Sequence, residues 1–138
     1  MLVIDTSVVV KWTVMEAGSD EAVGLLGRAL VAPDLIQAEI GSVLTKKVRR
    51  GEIRAEQARH AFAASLDLLR MVPSPSFAAA ALDLSLDLEH AIYDCYFLAV
   101  AEAYGSFLVT ADRAFVTKVR GTRFASLILQ LGDEVPDV

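Results

Sequence analysis

Short apolar runs alternate along this chain with longer stretches whose apolar residues recur at helical spacing, and that alternation restricts the fold more than any other feature. Leu2-Val3-Ile4 stops at Asp5, Leu30-Val31-Ala32 stops at Pro33, and Met71-Val72 runs into Pro73-Ser74-Pro75. Ser106 to Thr110 is the clearest strand, and Leu127-Ile128-Leu129 is the last. Between them the spacing predicts a short helix from a Thr6 or Ser7 cap through Lys11 and Trp12, then a turn over Glu16 to Asp20 and a helix over Glu21 to Leu30. A helix capped by Asp34 reaches Arg50 and stops at Gly51; further helices cover Arg54 to Arg70, Phe77 to Leu86, Ala91 to Tyr104 and Asp112 to Val119. Strands this apolar need cover on both faces. The expected fold is therefore α/β, a three-layer α/β/α sandwich with a central, mostly parallel sheet. Without repeat, linker or low-complexity tract, residues 1–138 are expected to form a single domain.

The chain is unusually apolar for its size, with 54% hydrophobic residues and a mean hydropathy of +0.46. Surplus apolar surface generally ends against a partner, so a homodimer, a tight hetero-complex or both are expected. No stretch reads as membrane-spanning: the longest apolar run, Ala91 to Val109, carries Asp94, Glu102 and Gly105. There is no basic leader, and the lone Cys95 cannot form an internal disulfide, so a cytoplasmic protein is the expectation. A net charge of −5 and a pI near 4.9 exclude a surface generally adhesive to nucleic acid. Local cations remain. Lys46, Lys47, Arg49 and Arg50 form one cluster, and Arg113, Lys118, Arg120 and Arg123 another; solvated helix ends account for such runs equally well.

Ligands of open parallel sheets bind beyond the carboxyl ends of the strands. That rule gives meaning to four acidic residues. Asp5 and Asp112 follow two apolar strands, Leu2-Ile4 and Phe107-Val109. Glu39 shares its helical face with Leu35, Ile36, Ser42 and Val43, and so interrupts a core-facing stripe. Asp94 lies on a helix apolar around most of its circumference, with His90 one turn back. Each has a purely structural reading: Asp5 and Asp112 as helix caps, Glu39 as the partner of Lys46, Asp94 as a first-turn acid favoured by the helix dipole. Together they point elsewhere. Buried carboxylates raise one another's pKa, and only Lys11 and Arg113 lie near enough in the chain to neutralise them. Clustered hard oxygens suit Mg²⁺ or Mn²⁺, while one Cys and two separated His exclude an ordinary zinc site.

Four segments in order then resemble a known family: Val3-Ile4-Asp5-Thr6-Ser7; Ala32-Pro33-Asp34-Leu35 with Glu39 beyond; Ala91-Ile92-Tyr93-Asp94-Cys95-Tyr96-Phe97-Leu98-Ala99; and Leu108-Val109-Thr110-Ala111-Asp112-Arg113. The chain resembles the PIN domain family, specifically the VapC-like toxins of type II toxin–antitoxin pairs. The resemblance covers nearly the whole chain and implies an Mg²⁺- or Mn²⁺-dependent endoribonuclease, a cognate VapB-like antitoxin, an RNA substrate and a homodimer. By position it makes Asp5, Glu39, Asp94 and Asp112 the acidic, metal-binding quartet, with Thr110 accompanying the last Asp and Ser7 orienting the first. Lys11, Arg113 and Lys46 are the cations available to guide an RNA backbone. Cys95 stands where the family commonly has a small residue, and packing is its expected role.

Other readings stay open at this point. A structure-specific DNA nuclease could use the same metal site. A non-catalytic module could keep the acidic pocket for a partner's basic side chain. A haloacid-dehalogenase-like phosphatase is excluded, because Ser7 stands where its second aspartate is required.

Overall fold

The computed structural model describes residues 1–137. Five strands, β1 (Leu2–Ile4), β2 (Leu30–Pro33), β3 (Arg70–Val72), β4 (Phe107–Thr110) and β5 (Ile128–Gln130), form one sheet in the order β3-β2-β1-β4-β5. Every pairing is parallel, so the expected "mostly parallel" sheet is wholly parallel among the described residues. Parallel neighbours require crossovers, and helices supply them.

Among the described residues seven α-helices accompany the strands: α1 (Thr6–Thr13), α2 (Ser19–Val23), α3 (Ile36–Arg49), α4 (Ala55–Asp67), α5 (Ala78–Leu88), α6 (Ile92–Tyr104) and α7 (Arg113–Arg120). With crossovers of the usual right hand, the chain winds outward from β1 to β3 over one face and returns to β4 over the other. Contacts agree: α1 touches α2, α3 and α4, whereas α6 packs on α5 and lies across β1, β2 and β4. The direction of winding reverses between β1 and β4, which makes the space beyond their carboxyl ends the topological switch point. Leu2, Val3 and Ile4 are buried on both sides of the sheet, as a covered central strand requires. No helix among the described residues is long and apolar enough to cross a membrane.

Several local expectations need correction. Asp5, not Thr6 or Ser7, caps α1, accepting from Val8 N at 3.3 Å. Residues 21–30 do not form a helix; α2 ends at Val23, and positive-φ Gly27 turns the chain before β2. Leu35 occupies the cap position of α3. Asp34 instead accepts from Ser74 N at 3.0 Å, while Leu35 N donates to Ser74 Oγ at 2.8 Å, tying the ends of β2 and β3 together. α4 stops at Asp67, because Arg70 already belongs to β3. Single-turn 3₁₀ segments, Ser74–Phe77 and Ala125–Leu127, take the start of the predicted Phe77 helix and of the last strand.

Candidate active site

The register pairs Ile4 with Val109, so the next residues, Asp5 and Thr110, emerge side by side at the switch point. Thr110 is fully buried and donates from Oγ1 to Asp5 Oδ2. Ser7, the second residue of α1, donates to Asp5 Oδ1 at 2.6 Å and accepts from Ala111 N at 2.9 Å. Asp5 is thus held by two hydroxyls and one backbone amide while itself buried. Burial dominates its ionisation: the carboxyl is pushed up to about 6, although the Ser7 and Thr110 hydroxyls pull it down. The charge of Asp94 pushes it up further.

Glu39 lies in the first turn of α3, beside the buried stripe Ile36, Ile40 and Leu44 and not within it. It does not pair with Lys46: its Oε1 is buried without a hydrogen-bond partner. Burial, then Asp94, then Asp5 lift this carboxyl to about 7. Three acids from β1's end, α3 and α6 therefore feel one another's charge. Asp94 sits in the first turn of α6, where the dipole favours it, and His90 Nε2 lies 2.6 Å from its Oδ2. The His90 ring is itself seated 4.5 Å from the Phe115 ring of α7. Cys95 is buried and its thiol is pushed up to about 11, first by burial and then by Asp94. A thiol so hard to ionise is a packing group, not a nucleophile.

Asp112 differs. It is exposed, and its Oδ1 accepts from Phe115 N at 3.1 Å as the cap of α7. Its own amide donates to Thr110 Oγ1 at 3.1 Å, linking it to the cluster through one hydroxyl. The cations expected to neutralise the acids are turned to other uses. Lys11 Nζ bonds Glu16 Oε1 at 3.2 Å and the Ala17 carbonyl at 2.7 Å; Arg113 is exposed, with no ion pair to the acids among the described residues. Lys46 points to solvent. Lys47, in line with Glu39 and Val43 on α3, turns to the site's edge, where Glu16 Oε2 lies at 3.3 Å. Sequence reasoning missed Glu16 and left His90 without a role; the only prior signal for His90 was its place one turn before Asp94.

Carboxylate oxygens, one of them buried without a partner, with no Lys or Arg paired to Asp5, Glu39 or Asp94 among the described residues, are the donor chemistry that a hard divalent ion satisfies. Among the described residues no group of three or more Asp, Glu, His or Cys side chains is arranged to hold an ion as it stands. The two facts agree if waters complete the coordination, as Mg²⁺ ordinarily requires. Asp5, Glu39 and Asp94 fit such an ion by donor type and charge.

Residues 2–120 match the model of the PIN domain. The chain is 30% identical over 122 residues to Ribonuclease VapC3 of Pyrobaculum aerophilum, spanning 85% of this chain and 93% of that protein. Among solved structures it resembles PAE2754 from Pyrobaculum aerophilum (TM-score 0.72, 24% identity, 95% of this chain and 83% of the other). It also resembles a toxin–antitoxin complex from Klebsiella pneumoniae (TM-score 0.64, 12% identity, 94% and 96%), a likeness of fold. With the sheet order, the switch-point acids and these matches together, the chain belongs to the PIN domain family.

Proposed function

We propose that this protein is an Mg²⁺- or Mn²⁺-dependent endoribonuclease acting as the toxin of a VapBC-type toxin–antitoxin pair. The carrying observation is that the charge of Asp94 bears on both Asp5 and Glu39 at the switch point, with Glu39 Oε1 buried and unpartnered. A relative of similar length is named a ribonuclease, and a solved relative of the same fold is a toxin–antitoxin complex.

Asp5, Glu39 and Asp94 would hold the ion, and Asp112, exposed at the rim, would orient the attacking water or support a second ion. Ser7 and Thr110 position Asp5, fixing both of its oxygens. A divalent ion bound here supplies Lewis acidity toward a phosphodiester oxygen and toward a water nucleophile. The residues supply placement: a buried Asp5 held by two hydroxyls, an Asp94 steadied by His90, and Lys11 and Arg113 on one neighbouring cleft to receive the backbone. RNA approaching without the ion would meet only repulsion from the acids. The protein is expected in the cytoplasm as one domain, paired with a VapB-like antitoxin and with a second copy of itself. Leu82 and Leu86 on α5 and Tyr93 and Tyr104 on α6 are exposed apolar surface that such partners would cover.

The test is incubation of partner-free protein with total cellular RNA in Mg²⁺ or Mn²⁺, then in EDTA, beside Asp94→Asn. Discrete cleavage that needs the ion and is lost in the variant is the expected result. Folded protein that binds Mn²⁺ yet leaves RNA intact would overturn the reading, and cleavage of branched DNA under the same conditions would replace it.

A further inference from the structure

We propose that the cavity beside the acidic cluster is a phosphate subsite for the RNA backbone, formed by Thr6, Lys11 and Lys47, with the Glu16 carboxylate standing where the phosphate binds. The inference rests on the ribonuclease reading and adds a site to it.

The cavity measures about 380 Å³ and is lined by Thr6, Ser7, Lys11, Glu16, Lys47 and Asp112, among others, so it adjoins Asp112 and the Ser7 that holds Asp5. Lys11 and Lys47 come from α1 and α3 and converge on one carboxylate, at 3.2 and 3.3 Å. Their side chains are only 14% and 17% exposed, so both ammonium groups are ordered against the protein and not simply solvated. Thr6 adds an independent sign. The residue lines this cavity at 8% exposure, and its Oγ1 is buried without a hydrogen-bond partner. Buried hydroxyls are nearly always satisfied, and an orphan beside a cavity indicates a group that comes and goes.

The chemistry selects an oxyanion. Two ammonium groups and a hydroxyl offer charge-assisted and neutral donors to tetrahedral oxygens, and the Glu16 carboxylate already uses the two charged ones. Two ammonium groups thus share the Glu16 carboxylate, and displacing it frees both for an incoming anion. Lys47 also meets Glu52 at 3.5 Å at the outer rim. Lys11 lines a second cavity of about 350 Å³ together with Arg113, so the cationic track continues past the site. A backbone phosphate adjoining the scissile one would displace Glu16 from the lysines and satisfy Thr6.

The experiment measures binding of a fluorescent single-stranded oligoribonucleotide to the Asp94→Asn protein in Mg²⁺ across a salt series. Lys11→Met and Lys47→Met should each weaken binding and flatten the slope of log K against log salt by about 0.7, the release expected for one phosphate contact on single strands. Lys47→Arg should retain most of the affinity. Thr6→Val, which removes an unpartnered hydroxyl and keeps the shape, should weaken binding several-fold without lowering the melting temperature. Glu16→Gln should tighten binding several-fold, and that gain should vanish when Lys47→Met is added. Glu102→Gln, an exposed acid on α6, should leave binding within about twofold at the same salt. Unchanged or weaker binding in folded Glu16→Gln, or full affinity in Thr6→Val, would overturn the subsite. So would a polyglutamate peptide whose binding depends on Lys47 when RNA binding does not. If Lys47→Met fails to fold, the Glu16 and Thr6 variants decide alone. Metal-dependent cleavage with unaltered salt slopes would sink the subsite and leave the nuclease standing; altered slopes without any cleavage would do the reverse.

Discussion

The ends of β1 and β4 look alike in the chain and behave differently in the molecule. Each apolar strand is followed within two residues by an aspartate that caps the next helix, Asp5 on α1 and Asp112 on α7. Asp5 is buried, bonded by Ser7 and Thr110, and burdened by the charge of Asp94. Asp112 is exposed and serves chiefly as a cap. The difference teaches that a cap and a chemical group are not alternatives. Asp5 uses Oδ1 for the helix while the desolvation around it keeps the carboxylate in need of a cation.

The sharpest way to break this contrast is cleavage by Asp5→Asn and Asp112→Asn, both of which keep a capping oxygen. Outer-shell changes at metal sites cost about 10–100-fold, so loss of a direct ligand at Asp5 should exceed about 100-fold while Asp112→Asn stays nearer tenfold. Equal losses measured on one RNA would erase the distinction.

Metal-free stability against pH comes next in size. Asp5 rises from 3.8 to about 6 and Glu39 from 4.5 to about 7, so the folded chain keeps protons that the unfolded chain releases. Their contribution is complete below about pH 4 and lost as pH climbs through 6 to 7. At Asp5 this loss is on the order of 2–3 kcal/mol at most. Asp5→Asn and Glu39→Gln should therefore melt higher than the parent at pH 8 in EDTA, with the gap closing at pH 4. Mg²⁺ should raise the parent's melting temperature at pH 8 and leave that of Asp5→Asn nearly unmoved.

His90 extends the contrast to α6, since it holds Asp94 as the hydroxyls hold Asp5. His90→Ala should weaken Mn²⁺ binding by about tenfold, read by titration calorimetry. Affinity equal to the parent would leave His90 as a packing group on Phe115 alone. The smallest effect belongs to the cap itself: Asp112→Ala should cost about 1 kcal/mol of stability, visible as a drop of a few degrees in Tm.

Much of this arrangement was legible before any coordinates. Aspartates at apolar strand ends follow from local pattern, and positive-φ Gly51 and Gly105 close α3 and α6 where expected. Faces resolved less well, because one residue along a helix rotates the side chain by about 100°. Lys46 was one of three expected guides beside Lys11 and Arg113, yet Lys47 shares the stripe of Glu39 and Val43 and meets the site's edge. Glu16 gave no local signal: a glutamate in a turn is ordinary until two lysines from other elements close on it. Asp34 resembled a cap by position, but its partner is Ser74, forty residues away.

The alternation of short apolar runs and amphipathic helices determined a parallel, doubly covered sheet, because period and burial are written locally in each segment. It also determined that Asp5 and Asp112 lie at one edge of the sheet, because strand ends in such a sheet point the same way. Tertiary structure alone decided which of them would be stressed. Desolvation and mutual repulsion depend on what packs above a carboxylate and on which charges stand across from it. Those are properties of α3, α6 and the β1–β4 junction meeting in space.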